Sequence, residues 1–289
     1  SYYPKSGWVE QNVDEWWQAL VSSVRGAVEK AGIRPDEVAG IGYDVTSASL
    51  VAVDADLRPL RPSIMWADVR ASEQARRGAA IEHWARLYNG GGKDAPSAEW
   101  FLYKAVWVKE NEPQVWADSA WLLDAPDWLG LRLTGEAVIN ITSAALKMHH
   151  NNDYGGFPLD FYDQVGAEGL MAKMPSQVRA LGEKLGGLSA AVAELEDGAH
   201  PRWVVRHLRE LAVLASVPRI EKPCLRSLLL VGSGKGGVGA ESSDMGKAAK
   251  RCCTIVVVAG ACQYRNLGIL CSGGAWRSAG LTALSSGNA

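Results

Sequence analysis

Short runs rich in β-branched residues alternate with amphipathic helical patterns along the first 165 residues, and this alternation restricts the fold most. Residues 13–31 and 97–111 carry apolar side chains at helical spacing. Residues 38–43 and 49–54 have the composition of two short strands, and we predict that they form a strand pair. Because strands and helices alternate along the chain, the sequence indicates the α/β class.

Residues of suitable chemistry mark where several of these elements begin and end. Asn12 is the predicted N-cap of the first helix, Asp14 and Glu15 suit its first turn, and Gly32 follows its predicted end. The remaining predicted elements are a helix over 70–78, a strand over 119–124, and helices over 127–133 and 158–165.

The composition of the chain changes sharply near residue 200. Residues 201–289 hold 12 Lys and Arg against 4 Asp and Glu, whereas residues 1–200 hold 18 against 28. All five cysteines lie after residue 223, and ten of the twelve tryptophans lie before residue 201. One folded domain seldom changes composition so abruptly. We therefore predict a domain over residues 1–196 and an unassigned segment over residues 197–289.

Several classes of protein are disfavoured by the sequence. No basic and apolar leader opens the chain, and the late apolar run at 254–262 is too short to cross a bilayer. The cysteines lack paired C-x-x-C spacing, which argues against a zinc site. The basic final segment lacks clustered arginines with interleaved aromatics, which argues against nucleic-acid binding. We expect a cytoplasmic protein with no membrane or nucleic-acid partner.

Five segments, taken in order, carry recognisable motifs. They are GWVEQNVDEWWQAL at 7–20, GIGYDVTSASLVAVD at 40–54, RPLRPSIMWADVRA at 58–71, SAEWFLYKAVWVKEN at 97–111 and PDWLGLRLTG at 126–135. Together they resemble the N-terminal domain of the FGGY family of carbohydrate kinases, and the likeness continues through GGFPLDFYD at 155–163 to about residue 196. The segment at 44–49 and Lys147 make the ribulose (pentulose) kinases the most similar members.

The resemblance implies an actin-like, ribonuclease-H-like α/β fold, incomplete in this chain. In this family, two such domains close over a cleft that holds a sugar and ATP with Mg²⁺. The implied activity is ATP-dependent phosphorylation of a pentulose such as ribulose, in carbohydrate metabolism, and the implied partner is that small sugar. Phosphoryl transfer of this kind depends on positioning and charge neutralisation more than on covalent chemistry. The sequence leaves the oligomeric state open.

The DVTSAS segment (residues 44–49) is the predicted sugar-binding loop, and Asp44, Thr46 and Ser47 are its candidate contacts. It follows a strand and carries three hydroxyl side chains that suit a polyol. A polar hairpin connection is the alternative, because Ser and Thr also favour turns. The resemblance favours the sugar-binding interpretation.

Three more residues are candidate sugar contacts. Asp68 and Arg70 lie in the WADVR motif, where a local ion pair at the start of a helix is the equally weighted alternative. Lys147 lies in an apolar neighbourhood, where a lysine is costly to bury without a partner. The adjacent His149 and His150 are interpreted as structural or exposed.

Two elements that the family uses in catalysis are not recognised in this sequence. One is a strand–turn–strand unit that faces the phosphates, and the other is a G-G-x-D-A-like element that carries the catalytic aspartate. Asp244 lies in SSDMGK, which does not match that element, so no catalytic residue is assigned. We expect no turnover from this chain alone, and a non-catalytic remnant that binds a sugar or a partner is the alternative.

Residues 201–289 match no part of the family. We interpret them as a frame-shifted or mis-joined segment and expect poor order there, because a shifted frame would not preserve hydrophobic periodicity. The alternative is a phosphate-binding module at 231–242, VGSGKGGVGAES. The G-x-x-x-x-G-K-[ST] pattern is not satisfied there, and Ala240 occupies the place of the lysine in the deviant form.

Overall fold

A computed structural model describes residues 1–31, 38–87, 96–189 and 192, together with the backbone of four strands beyond residue 200. The helices are α1 (Val13–Ala31), α2 (Ser72–Ala80), α3 (Phe101–Asn111), α4 (Pro113–Asp118), α5 (Ala125–Thr134), α6 (Ile141–Lys147) and α7 (Leu159–Val165). The strands are β1 (Glu10–Gln11), β2 (Val38–Val45), β3 (Leu50–Val53), β4 (Ser63–Ile64), β5 (Trp121–Asp124), β6 (Val138–Asn140), β7 (Gln177–Arg179), β8 (Lys184–Gly186), β9 (Ala212–Ala215), β10 (Cys253–Ala259), β11 (Asn266–Cys271) and β12 (Arg277–Gly280).

The described strands form two larger sheets and one small one. The first sheet has the order β1-β4-β3-β5 and is antiparallel throughout. The second has the order β12-β11-β10-β2-β9-β8, and β2 runs parallel to both of its neighbours. Strands β6 and β7 form a parallel pair.

Strand β3 is buried on both faces, and it divides the core into two clusters. Val51 and Val53 pack in a cluster with α1 and α5, while Leu50 and Ala52 pack in a second cluster with α3. Successive side chains of a strand point to opposite faces, so one four-residue strand supplies both clusters. A strand covered on both sides reads as a continuous apolar run, as LVAV does.

Most of the elements predicted from the sequence are confirmed, with shifts at their ends. Helix α1 has the predicted bounds, and the side chain of Asn12 accepts the backbone N–H of Asp14 at 2.9 Å, as a helix-capping residue should. Helix α3 begins four residues later than predicted, after Trp100. The predicted end residue Gly32 lies outside the described residues.

The predicted strand pair is wrong. Strands β2 and β3 both exist, but β3 pairs with β4 and β5 whereas β2 pairs with β9 and β10. The intervening residues therefore carry the chain from one sheet to the other and do not form a hairpin. Local composition indicates a strand, but it does not select the partner, because side-chain packing from distant segments decides the pairing.

Beyond residue 200 the structure describes the strands β9 to β12, and they extend the second sheet on either side of β2. The expectation of poor order concerns residues 201–289, and apart from these four strands they lie outside the described part. The possible phosphate-binding loop at 231–242 also lies outside it. The boundary near residue 196 stays a prediction. Within the described residues, no helix is long and apolar enough to cross a membrane.

Replacement of Gly130 by Ala tests the packing of α5 against β2. A Cβ atom at this position would lie 2.6 Å from the Tyr43 hydroxyl oxygen, which is itself held by a hydrogen bond to the Pro126 carbonyl. We expect Gly130→Ala to lower the free energy of unfolding by about 1–3 kcal/mol, because overpacking outweighs the better helix propensity of alanine. Urea unfolding followed by tryptophan fluorescence measures the change.

Gly26→Ala is the matched control in α1. Among the described residues, no atom outside the backbone of α1 itself lies within 4 Å of a Cβ built at Gly26, so this variant should gain up to about 1 kcal/mol from helix propensity. Equal effects of the two substitutions would contradict the packing described for Gly130.

Candidate functional site

The DVTSAS segment connects the two sheets, and residues 46–49 form its loop between β2 and β3. Ala48 adopts the left-handed backbone conformation, with φ of 63°. A residue with a Cβ atom loses roughly 1–2 kcal/mol in that conformation. The loop therefore needs specific interactions to hold it there.

A buried carboxylate holds the N–H side of this loop. Asp124, at the end of β5, accepts the backbone N–H groups of Ala48 and Ser49, each at 2.9 Å. Its carboxylate also accepts the N–H of Ala125 and the hydroxyl of Ser143. Burial raises the pKa of Asp124, and these four hydrogen bonds oppose that rise by stabilising the charged form.

A buried ammonium group holds the C=O side of the same loop. Lys104, the fourth residue of α3, has no solvent exposure. Its Nζ donates to the carbonyls of Ala48 at 2.8 Å and Met65 at 2.6 Å, with the Trp66 carbonyl at 3.4 Å. Hydrogen bonds to charged groups contribute about 1.5–3 kcal/mol each, so the bonds to Asp124 and Lys104 together exceed the strain at Ala48.

Lys147 lies on the same side of α6 as a residue that contacts this site. Ser143, one helical turn earlier, donates its hydroxyl to Asp124 at 2.6 Å. Lys147 is half-buried, and its charge is close enough to lower the pKa of Lys104. Within the described part of the chain, no acceptor lies within hydrogen-bonding distance of the Lys147 ammonium group.

Thr46 and Ser47 are half-buried at the start of the loop. Their hydroxyl groups donate no hydrogen bond to any described residue. The hydroxyl of the neighbouring Ser49, by contrast, has a protein partner, because it accepts the Trp66 N–H at 3.1 Å. The backbone of Asp44 lies in β2 opposite Val258, and its side chain lies outside the described part. The structure thus places Thr46 and Ser47 on a loop that is fixed by other residues.

Asp68 and Arg70 form the ion pair that was the alternative interpretation of the WADVR motif. Both side chains have no solvent exposure. Asp68 accepts the Val9 backbone N–H and three N–H groups of Arg70, while Arg70 also pairs with Glu10 at 2.8 Å. The Arg70 guanidinium also stacks on Trp8 at 3.8 Å. Both Asp68 oxygens already accept hydrogen bonds from protein donors. Direct contact of this pair with a sugar stays a prediction.

Sequence reasoning missed Lys104, Asp124 and Trp66. Trp66 is 43% exposed, and its backbone lies against the loop, since its N–H donates to the Ser49 hydroxyl and its carbonyl lies 3.4 Å from the Lys104 Nζ. The available signal for Lys104 was its position among consecutive apolar residues, since α3 is buried from Phe101 to Val108. Asp124 gave a weaker signal, as the last residue of a strand directly before a helix.

His149 is buried and has a structural role, which is one of the two interpretations, structural or exposed, that the sequence suggested. It has a left-handed backbone with φ of 57°, and its buried ring lies between the Ala85 carbonyl at 2.8 Å and the Tyr103 hydroxyl at 3.0 Å. The Ala85 carbonyl accepts the Nδ1 proton, so Nε2 accepts the Tyr103 hydroxyl in the neutral ring. Burial lowers the pKa of His149 to about 4.

Among the described residues, no group of three His, Cys, Asp or Glu side chains could hold a metal ion. The polar groups described above lie on the loop at 46–49 and on Lys147. The arrangement suits a neutral polyol, which hydroxyl and ammonium groups can hold through hydrogen bonds.

Comparison with known proteins gives a consistent result. A family model described as the FGGY family of carbohydrate kinases, N-terminal domain, matches residues 1–199. An FGGY carbohydrate kinase domain-containing protein of Danio rerio is 33% identical over 236 residues, which cover 74% of this chain and 42% of that protein. A ribulokinase of Shouchella clausii is 31% identical over 206 residues, covering 65% of this chain and 36% of that protein. The match thus spans about two fifths of the length of these relatives.

Solved structures show the same fold. A ligand-bound xylulose kinase from Lactobacillus acidophilus has a TM-score of 0.58 at 16% identity, over 75% of this chain and 41% of that one. A glycerol kinase from Plasmodium falciparum with ADP has a TM-score of 0.55 at 14% identity, over 75% and 41% respectively. These likenesses confirm the α/β fold of the sugar kinases that the sequence predicted.

Acidification should destabilise the protein through His149. Its folded pKa of about 4 lies below the ordinary 6.5, so the unfolded chain binds more protons between those values. Stability present above pH 6.5 is lost as the pH falls toward 4, and this residue alone should remove about 2 kcal/mol between pH 7.5 and pH 5. Urea unfolding at both pH values measures the loss.

His149→Asn is the control, because asparagine tolerates a left-handed backbone and does not titrate. This variant should be less stable at pH 7.5, and its further loss on acidification should be smaller by that same amount. An identical pH dependence in both proteins would show that His149 is not the titrating group.

Proposed function

Because the chain belongs to the FGGY family of carbohydrate kinases, we propose that residues 1–196 form the sugar-binding domain of an ATP-dependent pentulose kinase, acting in the cytoplasm. The observation that carries this proposal is a loop held by Asp124 and Lys104, on which the half-buried Thr46 and Ser47 donate no hydrogen bond to a described residue. The half-buried Lys147 lies close enough to Lys104 to lower its pKa. Polar groups without protein partners on a fixed support are suited to hold a ligand.

The proposed roles differ among the six candidate residues. Thr46, Ser47 and Lys147 bind sugar oxygens directly, and Asp44 does so from the end of β2. Asp68 and Arg70 act from behind the surface. Their buried pair joins Val9 and Glu10 to the segment that bears Trp66, so it positions that segment against the loop.

Pentulose is the proposed substrate class, with ribulose as the first choice. The DVTSAS segment and Lys147 support ribulose, because these are the features that resemble the ribulose kinases. The names of the relatives include ribulokinase, and a structural neighbour is a xylulose kinase. Because both sugars are pentuloses, the choice between them depends on a few hydroxyl contacts, which binding experiments can resolve.

ATP with Mg²⁺ is the proposed phosphoryl donor, and a structural neighbour binds ADP. ATP would supply the γ-phosphoryl group that is transferred to a sugar hydroxyl. The described residues of this chain do not form a metal-binding group. The contribution proposed for them is therefore to bind and orient the sugar, which lowers the entropic part of the barrier.

The alternative function is a non-catalytic domain that binds a sugar or a partner. A coupled ADP-release assay with D-ribulose, L-ribulose and D-xylulose measures turnover. We expect the 289-residue chain to bind a pentulose without turnover, since no catalytic aspartate is identified in it. Turnover by the purified chain would eliminate the non-catalytic alternative.

Lys147→Met should weaken pentulose binding. A hydrogen bond from an ammonium group contributes about 1.5–3 kcal/mol, so its loss should raise the Kd by about tenfold to a hundredfold. Calorimetric titration of the full chain with each of the three pentuloses measures the affinity. Circular dichroism of the variant should be unchanged, because the Lys147 side chain is half-buried and has no hydrogen bond to described residues.

Lys184→Met is the matched control. Lys184 is an exposed lysine in β8, and removal of its charge should leave pentulose affinity unchanged. Equal affinity in the wild type and in Lys147→Met would remove Lys147 from the site. Failure of the wild type to bind any of the three sugars would contradict the proposed function.

A further inference from the structure

Lys104 lies at the meeting point of two chain segments that border the proposed sugar surface. One segment is the loop at 46–49, and the other carries Met65 and Trp66. Its Nζ donates to a carbonyl of the first segment at 2.8 Å and to a carbonyl of the second at 2.6 Å. Lys104 contacts no exposed surface itself, because it is fully buried.

A second hydrogen bond joins the same two segments. The Trp66 N–H donates to the Ser49 hydroxyl at 3.1 Å. Ala48 is held at both ends, since its N–H donates to Asp124 at 2.9 Å and its carbonyl accepts from Lys104. Removal of Lys104 would leave the Ala48 carbonyl without a described donor, at the point where the backbone is left-handed. The Met65 carbonyl would keep one donor, the Asp68 N–H at 3.0 Å.

From this geometry we propose that Lys104 is a positioning residue for sugar binding, which sets the loop at 46–49 against Trp66 and acts in its protonated form. The proposal rests on the proposed function, because it concerns the affinity of that same surface. Lys104 does not touch the sugar. It determines whether Thr46, Ser47 and Trp66 present one fixed surface or several.

The protonation state follows from donor counting. A protonated lysine has three N–H donors, and three carbonyl oxygens surround the Nζ of Lys104. A neutral amine has two donors and lacks the charge that strengthens each bond. Deprotonation therefore removes at least one of the three hydrogen bonds that Lys104 donates and weakens the connection between the two segments.

The charges around Lys104 come from several elements. Asp68, Asp124 and Glu99 favour the protonated form, whereas Lys147 opposes it. Burial opposes it more strongly, and the pKa of Lys104 is lowered to about 7. The connection should therefore be complete below pH 7 and weaken as the pH rises through that value.

Hydrogen–deuterium exchange of the full chain tests this inference directly. In the wild type, protection factors of the peptides covering 46–50 and 65–68 should fall by about tenfold between pH 6 and pH 8.5, after correction for intrinsic exchange. In Lys104→Met, protection of the same peptides should be about tenfold lower than in the wild type at pH 6 and should not change with pH, and the Kd for D-ribulose should rise about tenfold at pH 6. In the wild type, that Kd should rise between pH 6 and pH 8.5.

Lys109→Met is the matched control on the same helix. Lys109 also donates to two backbone carbonyls, those of Gly166 and Glu168, but near the C-terminal end of α3. Its loss should change exchange near residues 166–168 and leave the peptides at 46–50 and their pH dependence as in the wild type. This separates a specific effect at Lys104 from a general loss of stability.

The outcomes distinguish failure of the inference from failure of the proposed function. Wild-type protection that does not change with pH, or a Lys104→Met protein with normal protection at 46–50, would overturn the role of Lys104. If Lys104→Met fails to fold, the wild-type pH series still decides. A wild type that binds no pentulose would overturn the proposed function, while the exchange data would still judge the connection at Lys104.

Discussion

Two buried charges hold the two ends of Ala48, and the arrangement of the candidate site follows from them. Asp124 holds the N–H and Lys104 holds the carbonyl, so the chain turns from β2 to β3 in a conformation that alanine rarely adopts. Isolated buried charges are costly, and a buried ion pair seldom adds net stability. Here each charge is bonded to backbone groups, so burial fixes one geometry of the loop rather than raising stability.

The same two residues connect the layers of the domain. Asp124 ends β5 and begins α5, and its bond to Ser143 brings α6 to the loop. Lys104 belongs to α3, which covers the other face of β3. Elements on both sides of the first sheet therefore meet at one loop, and a shift of any of them would move the surface that carries Thr46 and Ser47. Rigid elements of this kind hold a binding surface more accurately than loops alone.

Much of the fold could be predicted from local pattern, and the site only in part. The apolar stripe and capping chemistry of 13–31 defined α1, because both are properties of neighbouring residues. The partner of β2 could not be predicted, because its neighbours β9 and β10 lie far along the chain. Lys104 was missed for a related reason, since a lysine in a helical pattern is ordinarily exposed, and its burial depends on two distant segments that the pattern does not contain. The WADVR motif was correctly singled out as a cluster of interacting residues, but the side chains of Asp68 and Arg70 are buried and pair with each other.

Strand β2 has a consequence for synthesis of the protein. Gly40 lies opposite Ala212 on one side and Thr254 on the other, so both neighbours of this strand are made long after it. At about 5–20 residues per second, a nascent chain would carry β2 with two unpaired edges for roughly 10–40 s. Unpaired strand edges can pair with other chains and cause aggregation. Gly40 and Gly42 weaken the tendency of β2 to pair before its partners arrive, since glycine is a poor strand former. A strand from the interior of the second sheet is thus also a point at which the unfinished chain needs protection.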